Sequence, residues 1–200
     1  MKFFQEITLL PGLEVGVYFL WKKLFQQIHL ALVEIKNEED LVPVGLSFPD
    51  YDEAAGKLGA KLRLFADSED LLNRLNIAVW VQKLSDYTHV SGVRAVPVAR
   101  VKEYASFTRW RGDMNLERLA RRRAKRHNET FEQAMEYFMN EAEAKTAPPP
   151  PFIQMKSLSG CRDFRLFISL KKVEVPVAGL FTCYGLSTSE RTVAATVPLF

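Results

Sequence analysis

The sequence predicts an α+β fold, and three observations carry that prediction. Over roughly the first hundred residues the apolar patterning switches between strand and helix periods in the order β-α-β-β-α-β. Near residue 120 a segment has helical spacing but is almost wholly cationic. Behind a run of four prolines come three strand-like stretches, so strands and helices are partly segregated along the chain.

In order, "KFFQEITLL" (2–10) is short, partly alternating and ends at Pro11-Gly12, which reads as a strand and a turn. From Glu14 to about Ile35, Trp21, Leu24, Ile28, Ala31 and Ile35 recur at helical spacing and predict an amphipathic helix. The acidic "NEED" is a loop, and "VPVGLSF" a strand stopped at Pro49-Asp50. "KLRLFA" is a further strand, Ser68 caps a short helix through Leu75, and segments 87–91 and 93–98 are weaker strands. This order is the ferredoxin-like pattern. The chain is therefore expected to divide into a ferredoxin-like domain, 1–100, and a second α+β domain, 101–200, that carries the arginine-rich helix.

In the second part "VKEYASF" is a candidate strand leading into the basic helix. Thr130 and Gln133 have capping-box spacing and open another helix, whose Phe131, Met135 and Phe138 are expected to form a buried stripe. "AKTAPPPPF" breaks that helix as a stiff connector. "FIQMKS", "DFRLFISL" and "GLFTCYGLS" follow as strands, with "ATVPLF" as a tail.

With 200 residues and 48% hydrophobic side chains the chain can fill one large core or two small ones. Its net charge of +3 hides an asymmetry: residues 109–127 hold 8 basic and 2 acidic groups. Charge so gathered suits a polyanion. Cys161 and Cys183 have no ligand spacing and no partner for a disulfide framework, which fits a reducing compartment. The start has no secretory pattern and no run is long enough to span a bilayer, so a soluble, cytoplasmic protein is expected.

On the helix 116–126 only Leu116, Leu119, Ala120 and Ala124 are apolar, a thin anchoring stripe. Arg118, Arg122 and Lys125 lie along one row, with Arg121, Arg123 and Arg126 on the flanks. Like charges so close repel unless a counter-charge sits among them, and nucleic-acid phosphates supply one on both sides of a groove. The plainer alternative is a solvated helix with a Glu117–Arg121 pair. Upstream, Arg109 and Arg111 are two apart, so an extended chain presents both guanidiniums on one side, where each could fork onto a guanine edge or merely add to the basic patch. His29 stands one step off the buried stripe of the first long helix, at a partly exposed border. An imidazole there is suited to proton transfer, though most such histidines are structural. No second histidine or carboxylate cluster lies near it in sequence, so no metal or cofactor is expected; His127 closes the basic helix, where a cation favours the dipole.

"IHLALV", "VGLSFPDYDEAAGKLGAKLRLFA", "NLERLARRRAKRH", "SLSGCRDFRLFI" and "FTCYGLS" occur in that order, and together they resemble the CRISPR RNA-processing endoribonuclease of type I-F systems. The resemblance covers most of the chain outside about 76–105 and the proline connector. It implies that the arginine-rich helix enters the major groove of a short CRISPR-repeat hairpin, with Arg118, Arg121, Arg122, Lys125 and Arg126 on phosphates. A continuous A-form groove is too deep and narrow for this, whereas a short hairpin opens toward its ends. Arg109 and Arg111 match a guanine-reading pair, although this chain has Arg-Trp-Arg where the family has Arg-x-Gln.

The resemblance further implies metal-independent cleavage 3′ of the stem, in which a ribose 2′-hydroxyl attacks the adjacent phosphate and leaves a 2′,3′-cyclic phosphate. His29 then matches the base, Ser157 the serine that positions the hydroxyl, and Tyr184 a tyrosine that shapes the site. Phe164 matches an aromatic that stacks on the terminal base pair, though its alternation with Leu166 and Ile168 alone would make it core. Lys156 and Arg162 flank the serine and would neutralise the scissile phosphate. The protein is expected to stay on the mature guide RNA with other subunits of a type I-F surveillance complex. The alternative is a subunit that binds the hairpin without cutting it.

Overall fold

A computed structural model of the chain describes all residues except 13, 112–115, 144–148, 158–159, 161 and 189–193, together with the backbone alone at 116–118 and 139–143. The fold is mixed α and β. Strand β1 (Phe3–Leu9) leads into helix α1 (Val17–Glu34), which buries Leu20, Trp21, Leu24, Phe25, Ile28, Ala31 and Leu32 as the stripe that helical spacing requires. The run expected as one strand, "VPVGLSF", is two: β2 (Leu41–Val42) and β3 (Gly45–Ser47). Pro43 between them has no N–H to give to a ladder, and the two pieces belong to different sheets.

β4 (Lys61–Ala66) is followed by α2 (Glu69–Leu75), whose cap is Ser68: its Oγ accepts the Leu71 N–H at 3.3 Å. A short α3 (Ile77–Trp80) precedes β5 (Thr88–Val90) and β6 (Arg94–Ala95). The strand expected over 93–98 shrinks to β6 because Pro97 turns the chain into a single 3-10 turn at Val98–Arg100. The first sheet has the order β3-β4-β1-β5, with β6 also on β1, and every pairing is antiparallel.

β7 (Glu103–Trp110) is followed by α4 (Leu116–His127), α5 (Phe131–Glu143), β8 (Phe152–Lys156) and β9 (Asp163–Val173). "GLFTCYGLS" yields only β10 (Phe181–Thr182), which pairs with β2 and then turns; the tail adds β11 (Val197–Leu199). The second sheet runs β11-β7-β9-β8. Trp110, the end of β7, and Phe152, the start of β8, both face Phe167 on the strand between them, with ring centroids 5.4 Å and 5.3 Å from it.

The chain forms two compact units, 1–110 with 150–200, and 111–149. The first unit crosses the boundary expected at residue 100, because both sheets share one core. Phe107 of β7 meets Phe48 edge-on at 5.4 Å, and Tyr51 donates its hydroxyl to the Ile168 carbonyl at 3.0 Å. The second unit is the α4–α5 pair. Buried Ala120 and Ala134 let the two helices approach, and Asn128 supplies the left-handed residue (φ 56°) that reverses the chain. Thr130 Oγ1 accepts the Gln133 N–H at 3.2 Å while Gln133 Oε1 accepts the Thr130 N–H at 3.0 Å, a closed capping box. Phe131, expected in the buried stripe, is instead exposed: it is the first residue of α5, and Ala134 takes the contact with α4. Among the described residues no helix is long and apolar enough to cross a membrane.

Candidate active site

The pleat of the second sheet gathers several of the sequence-selected residues on one face. Ile153 and Met155 of β8 are buried, and the same row continues to Ser157, whose N–H still pairs with the Arg162 carbonyl at 2.8 Å. On β9 the buried Leu166 and Ile168 share their row with Phe164, which lies at the strand's exposed end and stays half-buried. Phe164 thus extends the core row and also presents a ring to solvent. Arg109, in the row of buried Ala105 and Phe107, sets its guanidinium 5.5 Å from the Phe164 ring centre. Ser157 Oγ accepts the Gly160 N–H at 3.2 Å, which holds the serine in the β8–β9 turn.

Helix α1 lies against β8 and spans this end of the sheet. Lys22 Nζ is 3.5 Å from Asp163 Oδ1, and Asp163 is the register partner of Lys156, next to Ser157. Seven residues further, two helical turns, His29 shares nearly the same face of α1, roughly 10 Å along the axis. Lys22, which meets the first residue of β9, and His29 therefore share one face of α1.

His29 is half-buried and donates from Nδ1 to the Cys183 carbonyl at 2.9 Å. A carbonyl only accepts, so the neutral ring carries its proton on Nδ1 and leaves the Nε2 lone pair unoccupied by that bond. The Tyr184 ring lies parallel to the imidazole, with centroids 4.2 Å apart and planes 6° from coplanar, which fixes the ring's plane. Burial pulls the His29 pKa below its ordinary value, and the Cys183 bond opposes part of that shift. Burial likewise pushes up the Tyr184 phenol, with the Arg109 charge pulling the other way, so Arg109 is felt at both Phe164 and Tyr184. The Cys183 thiol is raised by burial as well and is a poor nucleophile.

The Cys183 carbonyl and Gly185 are the features that side-chain reasoning missed. Gly185 has φ +68°, its N–H closes the turn onto the Thr182 carbonyl at 2.7 Å, and its own carbonyl accepts the Leu46 N–H at 2.9 Å. A Cβ there would collide with the Leu46 side chain. Gly185→Ala is expected to lower stability by about 2–5 kcal/mol, backbone strain and overpacking together, and to loosen the His29 bond. Denaturant unfolding checks this; an unchanged midpoint contradicts it.

In the α4–α5 unit, Arg121, Arg122, Lys125 and Arg126 are exposed along α4 and Arg111 is exposed at the unit's start, while Arg118 has its side chain outside the described residues. Lys156 and Arg162 are exposed in the first unit. Among the described residues no three His, Cys, Asp or Glu side chains converge as a metal site would require.

Comparisons with known proteins agree with one another. A protein-family description, "CRISPR-associated protein (Cas_Csy4)", matches residues 4–200. A protein of Escherichia coli (strain UTI89 / UPEC) named "CRISPR-associated endonuclease Cas6/Csy4" is 35% identical over 201 residues, covering 100% of both chains. Another of the same name, from Pseudomonas aeruginosa (strain UCBPP-PA14), is 34% identical over 188 residues, 94% of this chain and 96% of its own. With the match running through both units and every segment of the His29 cluster, the chain belongs to the Csy4 family of CRISPR-associated proteins.

Proposed function

We propose that the protein is an endoribonuclease of CRISPR RNA maturation that binds the repeat hairpin and cuts it 3′ of the stem. The observation that carries this reading is the His29 imidazole: half-buried, with Nδ1 engaged by a backbone carbonyl, its plane fixed by Tyr184 and its pKa lowered so that it is neutral at neutral pH. Such a ring is a pre-oriented general base. In the proposed reaction Nε2 takes the proton of a ribose 2′-hydroxyl, the 2′-oxygen attacks the adjacent phosphorus, and the bond to the 5′-oxygen breaks. The leaving oxygen takes a proton from water, and the imidazolium returns its own to solvent. The products are a 2′,3′-cyclic phosphate and a 5′-hydroxyl. Because nucleophile and base are both in hand, no metal is needed to generate the nucleophile.

Ser157, held in its turn by Gly160, is assigned to positioning the attacking hydroxyl, and Tyr184 to holding the imidazole. Phe164 is assigned to stacking on the last base pair, Arg109 and Arg111 to guanine edges, and Lys156 with Arg162 to the scissile phosphate. The first unit's sheet order fits a ferredoxin-like half, and α4 is the arginine-rich helix whose Arg118, Arg121, Arg122, Lys125 and Arg126 take stem phosphates. After cleavage the protein is proposed to stay on the product stem within a type I-F surveillance complex.

The direct test is to incubate the protein with its cognate repeat RNA in excess chelator and analyse the product ends. A 2′,3′-cyclic phosphate is expected. Uncut RNA that remains tightly bound would favour a hairpin-binding subunit without catalysis, and cleavage restored only by a divalent ion would exclude the mechanism. The pH profile is a second check. A base works only when deprotonated, so kcat/KM should rise with pH through an inflection below the usual 6.5 and be level above neutrality. An inflection above 6.5 contradicts the assignment of the free enzyme's base to His29.

A further inference from the structure

Arg123 stands beside the cationic row, on the flank of α4, and is turned away from the role of its neighbours. Its Nε donates to Glu129 Oε2 at 3.0 Å and its Nη2 to Glu129 Oε1 at 3.1 Å, a two-pronged fork. The guanidinium also lies 3.7 Å from the centre of the Tyr137 ring on α5. Both partners of the ion pair are about three-quarters covered, at 25% and 29% exposure, whereas Arg121, Arg122, Lys125 and Arg126 are exposed.

We propose that Arg123 is a positioning residue which clamps α4 to the inter-helix loop and to α5, and so fixes which faces of α4 present Arg122 and Arg126 to RNA. The proposal rests on the hairpin-binding role given to α4 above. A helix whose arginines repel one another gains little from its thin apolar stripe, and small Ala120 and Ala134 supply only the closest contact. Arg123 converts one of the repelling charges into an internal tie, since Glu129 neutralises it and Tyr137 covers its plane. With both carboxylate oxygens occupied and one face of the guanidinium stacked, Arg123 is not placed to neutralise a phosphate. Lysine cannot take over this place: an ammonium on a flexible stem makes neither the fork nor the planar stack.

The test uses the whole protein with two readouts. Amide hydrogen exchange of α4 is measured without RNA, and hairpin affinity is measured across a salt series. Arg123→Ala and Glu129→Gln should each speed exchange in α4 by about tenfold or more, and the double variant should add little to either. Arg123→Lys should recover only part of the protection. Hairpin binding should weaken in Arg123→Ala with its salt slope unchanged, while Arg122→Ala loses about 0.7–0.9 of slope. Unchanged α4 exchange in Arg123→Ala overturns the clamp. A salt slope that falls as it does for Arg122→Ala overturns the positioning role, because Arg123 would then contact phosphate. If the unaltered protein does not bind the hairpin at all, the RNA role of α4 fails and the positioning role with it, while the exchange data still decide whether the clamp exists.

Discussion

His29→Ala is expected to lower the single-turnover cleavage rate by about 10²–10⁴-fold, the range that a positioned general base contributes, while leaving hairpin affinity unchanged. The separation follows from the placement of the two functions. His29 is on α1 in one unit and contacts the Cys183–Tyr184 turn, whereas the proposed phosphate contacts are on α4 in the other. The substitution removes the ring but no cation of α4. The Cys183 carbonyl loses its imidazole donor, a cost of about 1–3 kcal/mol if the oxygen finds no water and less if it does. Rapid-quench cleavage and equilibrium binding of an uncleavable hairpin with a 2′-deoxyribose at the cut site together check this. Full cleavage by the variant would end the role of His29 as base, and lost affinity would show that it holds RNA.

Replacing Arg121, Arg122, Lys125 and Arg126 together by Ala is expected to act in the opposite way. Four phosphate contacts at roughly 0.7–0.9 of salt slope each make the variant's slope shallower by about 3. Referred to 1 M salt, that amounts to roughly a thousandfold weaker hairpin binding at about 0.1 M. Cleavage at saturating RNA should survive, since the four residues lie outside the His29 cluster. Alanine has the best helix propensity and the mutual repulsion falls, which offsets the loss of the Arg121 guanidinium from the Phe131 ring of α5. Fluorescence anisotropy over a salt series measures the slope. A slope equal to that of the unaltered protein would return these residues to a solvated face.

The sequence made local structure legible where one period or one pair of neighbours decides it. The buried stripe of α1, the Ser68 cap and the Thr130–Gln133 box all follow from residues within a few positions of one another. Pairing between distant segments was less accessible. "VPVGLSF" looks like a single strand until β10 claims its first part and β4 its second. Phe131 looks like core until the cap places it at the helix start, where the chain has only just turned inward.

The candidate site divides in the same manner. His29 was visible as a border residue and gained its proposed chemistry only from a family resemblance. Its hydrogen-bond partner lies 154 positions away and is a main-chain oxygen, which no reading of side chains reveals. Arg123 and Arg122 are chemically identical in the sequence. Only Glu129 and Tyr137, positioned by the helix reversal at Asn128, set them apart.

Trp110 and Phe152 leave and re-enter the second sheet at the same level, both opposite Phe167, so their separation is two strand spacings, roughly 10 Å. Everything between them can vary in size and chemistry without altering the ladder that carries Ser157 and Phe164. The helical pair is thus an insertion between two strand ends that the ladder fixes. Under the proposed roles, exchanging 111–149 changes the phosphate contacts of α4 and leaves Arg109, Phe164 and the His29 cluster in place.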